Sequence, residues 1–148
     1  MDIRSTTYLS PFGPISINSS DAGVRLILLG KTIGNDNSEI NRKVAIYLKK
    51  YFNYDKYSID FPIDFTKINR KTQQVYDAIL KIPFGKTITY GDLARTIDTS
   101  PRAVGRILSA NPLPIIIPCH RVVASNGIGG FSAGIEWKIN LLRHERCL

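Results

Sequence analysis

The chain has 148 residues, a formal net charge of +8 and a pI near 9.7, a size that allows one compact domain or two small ones. Its hydrophobic and charged fractions, 43% and 22%, are those of a soluble globular protein, and no apolar run approaches the ~20 residues that span a bilayer. The start, Met1-Asp2-Ile3-Arg4, has an acid where a signal peptide would have basic residues, and no long apolar stretch follows, so we expect a cytoplasmic protein. The positive charge favours a polyanionic partner such as nucleic acid, although solvated lysines alone would give the same charge.

The first part of the chain predicts a small α/β domain over residues 1–60. Residues 6–29 read as β structure, and Ser19–Gly23 form a predicted hairpin loop. The apolar residues that alternate there, and so predict one buried face, are Ile15, Ile17, Val24, Leu26 and Leu28. Ser38 then caps a predicted helix with apolar residues at helical spacing up to Tyr51. An irregular aromatic stretch over residues 53–65 ends this unit.

The second predicted domain, residues 66–148, opens with helices. An apolar helical face through Val75, Ile79 and Ile82 is followed by a short helix from Gly91 to Ile97, capped by Thr89. After a turn, Ser100 caps another helix, with Pro101 at its first position, and Asn111-Pro112 ends it. Two short helices joined by a tight turn predict a helix-turn-helix. Arg102 and Arg106, one turn apart on the second helix, add to the case for DNA binding, although many such helix pairs bind no DNA.

The segment that follows carries the candidate chemistry. Prolines at both ends of Leu113–Pro118 predict an extended segment that leads into Cys119-His120-Arg121. A glycine-rich loop over residues 127–134 can approach a ligand closely, and a final helix reaches His144-Glu145.

Cys119 is a candidate nucleophile if a base or a cation favours its thiolate. His120 is the neighbouring base, acting through a water if the two side chains point apart, and Glu145 could fix its tautomer. Two other readings stay open: a buried structural thiol, and a metal site. The metal site would use Cys119, His120, His144 and Cys147, but adjacent residues rarely bind one ion. Two cysteines are too few for a disulfide framework.

Several segments in order resemble one known family. They are Ile82-Pro83-Phe84-Gly85-Lys86-Thr87 with Tyr90, Arg102-Ala103-Val104-Gly105, Asn111–Ile115, Pro118–Val122, Gly130–Gly134 and Leu141–Glu145. This set resembles the O6-alkylguanine-DNA alkyltransferases. The resemblance implies an α+β fold, with a small ribonuclease-H-like N-terminal sheet and helices. A mainly helical, winged-helix-like domain with the helix-turn-helix would follow.

The resemblance also implies catalytic roles. Cys119 would accept the alkyl group in a suicidal reaction, His120 would activate it through a water, and Glu145 would orient His120. Asn111 would hold the bend between the DNA-binding helix and the active-site loop. Tyr90 would help to rotate the nucleotide out of the duplex and would donate a proton to the leaving guanine. No cofactor and no metal are implied.

The implied partner is double-stranded DNA that contains O6-alkylguanine, with O4-alkylthymine left open. Arg102 would fill the space left by the flipped base, and Ala103 and Gly105 would allow the helix to enter the minor groove. Tyr90 and Arg121 complete the implied DNA contacts. Val122, Phe131, Ser132 and Ala133 would form the base pocket. We expect a monomer in solution, because no dimerisation segment is evident, and leave cooperative binding on DNA open.

Departures and rival functions bear on this interpretation. The family often has Tyr where this chain has Phe131, and Gly where it has Ala133, so substrate range is in question. An alkyltransferase-like binding module would lack Cys119. A transcription regulator with a sensing cysteine would normally be a dimer, and a thiol hydrolase would turn over an ester or a peptide.

Overall fold

The computed structural model describes residues 2–65 and 67–148 and divides the chain into two compact units, Met1–Thr66 and Lys67–Leu148. The first residues of the two predicted domains, Met1 and Thr66, lie outside the described residues. That the units are separate domains stays a prediction. Within the described ranges, no helix combines the length and apolar character needed to cross a membrane. The predicted mixture of a small antiparallel sheet and helices, an α+β fold, is confirmed.

The first unit is one sheet covered by one helix. Strands β1 (Arg4–Ser10), β2 (Gly13–Ser20) and β3 (Gly23–Leu29) are antiparallel neighbours in that order. Helix α1 (Glu39–Phe52) contacts all three strands. It begins where predicted, because the Ser38 side chain accepts a hydrogen bond from the Asn41 amide at 3.2 Å. The residues that share full burial in this core include Ile15, Ile17, Val44 and Leu48.

The buried face of β3 differs from the prediction. Ile17 pairs with Ile27, but Ser19 pairs with Val24, so the register slips by one residue between Asn18 and Ser19. This bulge reverses the alternation after Val24, because one extra residue moves each later side chain to the other face. Ile27 is therefore buried, whereas Leu26, predicted to face the core, is 36% exposed. The hairpin loop is also shorter than predicted, since Ser20 and Gly23 already pair.

The second unit is mainly helical. Its helices are α2 (Arg70–Leu80), α3 (Tyr90–Thr96), α4 (Pro101–Ser109) and α5 (Ile135–His144). Two short strands, β4 (Ile88–Thr89) and β5 (Val122–Val123), pair in parallel. The Thr89 and Ser100 side chains cap α3 and α4 as predicted, each accepting a backbone N–H at 3.1 Å. Helices α3 and α4 pack together as a helix-turn-helix.

The segment between α4 and Cys119 is not extended, contrary to the prediction. It forms turns in which the Ile117 amide donates to the Leu113 carbonyl at 2.8 Å, and Ile115 has a φ of 74°. The Asn111 side chain closes these turns by donating to the Ile117 carbonyl at 2.9 Å and accepting from the Leu113 amide at 3.0 Å. The prolines thus prevent a helix, and the Asn111 side chain, bonded to groups six and two residues further along the chain, decides the local conformation.

The bulge in the sheet yields a stability test. Ile27→Ala should destabilise the fold by about 2–5 kcal/mol, because it removes buried methyl groups and leaves a cavity. The matched change Leu26→Ala, one residue away and partly exposed, should stay within about 0.5 kcal/mol of wild type. Chemical denaturation of the two variants measures the difference. Equal losses would mean that the bulge is misplaced.

Candidate active site

A cavity of about 270 Å³ lies within the second unit. Its lining residues come from α3, α4, the Cys119 turn and the glycine-rich loop: Tyr90, Gly105, Leu108, Ser109, Cys119, Gly130, Phe131 and Ser132. Five of them belong to the set that the sequence predicts for the site. Cys119 is only 6% exposed, so a substrate would have to reach its thiol through this cavity.

Local structure brings Cys119 to this cavity. The Cys119 amide donates to the Ile117 carbonyl at 2.7 Å, and residues Cys119–Arg121 form one turn of 3-10 helix. Strand β5 follows directly and pairs with β4, with Val122 opposite Ile88 and Val123 opposite Thr89. Because Tyr90 comes next after β4, this pairing places the nucleophile and Tyr90 on the same cavity.

The Cys119 thiol is protonated at rest. Burial raises its pKa, and the hydrogen bond with the Asn111 side chain, the positive charge of Lys138 and backbone N–H groups only partly offset that effect. A buried thiol of this kind needs a base to remove its proton when it reacts.

The Glu145 carboxylate lies in the interior behind this turn. Its Oε2 is 2.5 Å from His120 Nε2, and its Oε1 accepts from Arg121 Nε at 2.8 Å and from the Gly85 amide at 3.1 Å. Burial alone would raise the pKa of Glu145. The hydrogen bonds and charges of His120 and Arg121 outweigh burial and lower that pKa to about 2. Glu145 is therefore ionised over the whole physiological range.

This carboxylate decides the tautomer of His120. Burial lowers the pKa of His120, although the hydrogen bond and the charge of Glu145 oppose that shift, so the imidazole is neutral at rest. An ionised carboxylate only accepts hydrogen bonds, so Nε2 carries the proton. Nδ1 then holds a lone pair, and it has no hydrogen-bond partner among the described residues. His120 thus presents a free basic nitrogen within the turn that carries Cys119.

Arg121 does not have the position expected of a DNA-binding residue. It is 5% exposed, and its guanidinium donates to both Glu145 oxygens and, at 2.8 Å, to the Ile82 carbonyl. A buried arginine with a bidentate carboxylate partner stabilises the interior. The contact of Arg121 with DNA stays a prediction, and in this structure the guanidinium is buried and engaged by Glu145 and the Ile82 carbonyl.

The other predicted DNA-binding residues lie on α4. Arg102 is exposed, and Ala103 and Gly105 are partly exposed. A methyl group added at Gly105 would meet no atom within 4 Å, so the space above this part of the helix is open. Positive charge is also concentrated in this unit. Residues 67–148 hold twelve basic and five acidic side chains, against eight and seven in residues 1–66.

The predicted pocket residues are only partly assembled around the cavity. Phe131 and Ser132 line it, whereas Ala133 is exposed and is not among the lining residues. Val122 is buried, and its carbonyl accepts a hydrogen bond from Lys138 Nζ at 2.7 Å.

The metal alternative is not supported, because in the part of the chain that is described no group of three or more His, Cys, Asp or Glu is placed to hold an ion. Cys119 and Cys147 are both free thiols.

Lys138 is a site residue that the sequence interpretation missed. Its side chain is fully buried, and Nζ also donates to the Gly130 carbonyl at 3.0 Å and lies 5.6 Å from the centre of the Tyr90 ring. A signal was present in the sequence. Lys138 precedes Leu141 and Leu142 by three and four residues, which places it on the buried face of α5.

Replacement of the Glu145 anion should weaken the fold strongly. Glu145→Gln leaves the Arg121 cation buried without its carboxylate, so we expect a loss of about 3–5 kcal/mol at neutral pH. Because the pKa of Glu145 is about 2 in the folded state and about 4.3 in an unfolded chain, ionisation stabilises the fold above that range. This contribution to stability is lost as the pH falls from about 4.3 to about 2.

Urea unfolding at pH 7 and pH 3 tests both statements. The difference in stability between wild type and Glu145→Gln should narrow at the lower pH. The control is Glu136→Gln, an exposed change of the same charge on α5, which should cost no more than about 0.5 kcal/mol. A difference of the same size at both pH values would contradict the assigned ionisation.

Comparison with known proteins identifies relatives of the whole chain. Residues 70–147 match the family model described as "6-O-methylguanine DNA methyltransferase, DNA binding domain". A methylated-DNA–protein-cysteine methyltransferase from Metallosphaera sedula is 41% identical over 149 residues, covering 99% of this chain and 95% of the relative. One from Methanocaldococcus vulcanius is 48% identical over 120 residues, 79% of this chain and 74% of the relative.

Solved structures agree with these matches. The O6-methylguanine methyltransferase of Mycobacterium tuberculosis is 29% identical and superimposes with a TM-score of 0.83, over 99% of this chain and 94% of that one. Its complex with DNA gives a TM-score of 0.81 over 97% and 92% of the two chains. Together with the cysteine, histidine and glutamate of the site, these matches show that the chain belongs to the O6-alkylguanine-DNA alkyltransferase family, the methylated-DNA–protein-cysteine methyltransferases.

Proposed function

We propose that the protein repairs double-stranded DNA by transferring the alkyl group of O6-alkylguanine to Sγ of Cys119, once and irreversibly. The observation that carries the proposal is Cys119 at a confined cavity, followed in the chain by a neutral histidine whose Nδ1 has no partner among the described residues and whose Nε2 is held by Glu145. The cavity, at about 270 Å³, lies below the ~300–1,000 Å³ of sites for drug-sized ligands, which suits a single extruded base.

The reaction is a displacement at the alkyl carbon. His120 Nδ1 takes the thiol proton, through a bridging water, and the ionised Glu145 stabilises the imidazolium that forms. The sulfur forms a bond to the alkyl carbon as the bond from that carbon to O6 breaks. The guanine leaves with a proton donated by Tyr90, whose phenol is protonated before the reaction because burial raises its pKa. The proton held by the His120 imidazolium then returns through water to the Tyr90 phenolate, so both residues end neutral. A thioether is a poor leaving group, so each protein molecule reacts once.

In this proposal, the exposed and small residues of α4 serve to rotate the damaged nucleotide out of the duplex. The reacting carbon lies inside a base pair, and rotation of the nucleotide out of the duplex costs a few kcal/mol. Arg102, exposed at the start of α4, would fill the space in the stack and offset part of that cost. Ala103 and Gly105 allow the helix to enter the minor groove closely. Lesions occur in any sequence, so binding by a monomer through phosphates and shape is sufficient.

Recognition of the base would come from the loop opposite Cys119. Ser132 and the backbone at Val122 would bind the extruded guanine, with Phe131 packing against it without a hydroxyl donor. The absence of that hydroxyl leaves Ser132 with more of the polar recognition. Ala133 would then affect the substrate range through the shape of the loop, since it is not among the cavity-lining residues.

Transfer to Cys119 can be observed directly. Incubation with a duplex that carries one O6-methylguanine should add a single methyl group, 1:1, to the peptide that contains Cys119. Intact-protein and peptide mass spectrometry measures it. Cys119→Ala should abolish the addition, whereas Cys147→Ala, the matched change at the other free thiol, should leave it unchanged.

Other outcomes would point to the rival functions. Tight binding to the lesion without a mass change would make the protein a binding module. Continuous hydrolysis of an ester, or tight sequence-specific binding by a dimer, would support the hydrolase or the regulator.

The open space above Gly105 gives a second test. Gly105→Ala should stabilise the free protein by about 0.5–1 kcal/mol, because alanine favours the helix and its methyl group meets nothing. The same methyl group should weaken binding to an undamaged duplex several-fold if the DNA backbone packs against this helix. Thermal unfolding and fluorescence anisotropy measure the two effects. Gly127→Ala, also facing open space but in a loop, should leave DNA affinity unchanged. Unaltered affinity of Gly105→Ala would place DNA elsewhere.

A further inference from the structure

We propose that Asn126 is a site of spontaneous covalent modification, where loss of the side-chain amide leaves aspartate or isoaspartate in the turn that leads into the cavity wall. Water is the co-reactant, and the change requires no second protein. The proposal is independent of the reaction with DNA, so its test uses the protein alone.

The sequence around Asn126 favours this reaction. Asn126 is the one asparagine of the chain that a glycine follows. Loss of the amide begins when the backbone nitrogen of the next residue attacks the side-chain carbonyl carbon, and a side chain on that next residue obstructs the approach. Gly127 has no Cβ, so its nitrogen is the least obstructed. Local chemistry therefore makes Asn126 the most reactive asparagine of the chain.

The fold leaves this pair accessible. Asn126 and Gly127 are both exposed, and an isolated antiparallel bridge pairs Ala124 with Gly127, so Ser125 and Asn126 form the two-residue tip of a turn. A methyl group added at Gly127 would meet no atom within 4 Å. No residue that the structure describes forms a hydrogen bond with the Asn126 side chain. At such a tip, rotation of the backbone can bring the Gly127 nitrogen to Cγ of Asn126.

Other asparagines have local protection or a less reactive neighbour. The Asn69 side chain caps α2. The Asn111 side chain is bonded to the backbone on either side of its turn, and Pro112 after it has no N–H to lose. Asn37 is exposed and precedes Ser38, whose side chain obstructs the attack. Asn37 is therefore the natural reference within the same molecule.

The reaction balances with water alone. The Gly127 nitrogen gives up its hydrogen and bonds to Cγ of Asn126, and the side-chain NH2 leaves with that hydrogen as ammonia. Water then opens the five-membered imide. Cleavage of the bond from nitrogen to Cγ gives aspartate. Cleavage of the bond from nitrogen to the main-chain carbonyl carbon gives isoaspartate, whose main chain runs through the side chain and is longer by one carbon. Each product carries a new carboxylate.

The two products act differently on the cavity wall, because both ends of the turn are held. Before the turn, β5 pairs with β4. After it, Gly129 has a φ of 78°, and a methyl carbon there would stand 2.8 Å from Tyr90 Cε2 and 3.3 Å from the Ala124 nitrogen. Gly130, the next residue, lines the cavity. The extra carbon of isoaspartate therefore displaces Gly129 and the wall after it, whereas aspartate only adds a charge at an exposed tip.

The first experiment measures the modification itself. The folded protein is incubated at pH 8 in water enriched in heavy oxygen, and peptide mass spectrometry follows the Asn126 and Asn37 peptides. The Asn126 peptide should exchange its amide for a carboxylate that contains heavy oxygen. Its rate should lie within about tenfold of the rate in guanidinium chloride, because exposed loop tips open at little cost in free energy. The Asn37 peptide should convert more slowly.

The matched control is Gly127→Ala. Gly127 does not have a positive φ and its surroundings are open, so alanine fits the turn, but its methyl group obstructs the attack. Conversion at Asn126 should fall to the rate of the Asn37 peptide or below. An unchanged Asn126 peptide under conditions that convert the unfolded chain, or equal rates in Gly127→Ala and wild type, would overturn the proposal.

A second experiment tests the effect on the cavity. Ion exchange separates the converted protein, and iodoacetamide then labels its thiols, with the Cys147 peptide as the internal reference. Cys119 should be labelled several-fold faster in the converted protein than in Gly127→Ala incubated in reductant for the same time, because the displaced wall opens the cavity. The variant Asn126→Asp supplies the aspartyl form alone and should label at the wild-type rate. Equal labelling of Cys119 in converted and unconverted protein would refute the link between the turn and the cavity.

Discussion

The buried, ionised carboxylate of Glu145, bound by two separate segments of the chain, makes the interactions on which the rest of the second unit depends. It accepts from His120 and Arg121 of the turn after Pro118, and from the Gly85 amide that precedes β4. A carboxylate without water must be neutralised and hydrogen-bonded, so these segments are held to the end of α5. The same anion directs the basic nitrogen of His120 away from itself. One interaction thus contributes both to stability and to the proposed chemistry.

Two buried cations lie near the nucleophile, and the structure treats them differently. Arg121 has its carboxylate permanently, and it belongs to the scaffold. Lys138 has two carbonyl oxygens and an aromatic face, and its pKa is low for a lysine because burial opposes its charge. An arginine remains charged in any surroundings, whereas a lysine responds to an anion that appears beside it. Arg121 and Glu145 thus form a permanent structural pair, whereas the ammonium of Lys138 is held by carbonyl oxygens and an aromatic ring.

Asn111 connects the surface that would meet DNA with the thiol that would react. It follows the end of α4, and its side chain closes the turns that lead to Cys119. Arg102 and Gly105 lie on the same helix, only a few residues before it. Displacement of α4 would therefore move the wall of the cavity together with the turns that lead to Cys119. In this arrangement DNA contact and nucleophile geometry share one short piece of chain.

The sequence by itself determined the features that depend on neighbours along the chain. The capping side chains of Ser38, Thr89 and Ser100 accept hydrogen bonds from amides three residues further along the chain. The sequence motifs around Cys119 were sufficient to indicate the family. Only the tertiary structure decided the buried face of β3, the burial of Arg121 and the position of Lys138. The bulge depends on pairing across a hairpin, Arg121 meets Glu145 across 24 residues, and Lys138 reaches Val122 across 16. A charged residue reads as exposed in a sequence, because its partner is identified only once the chain has folded.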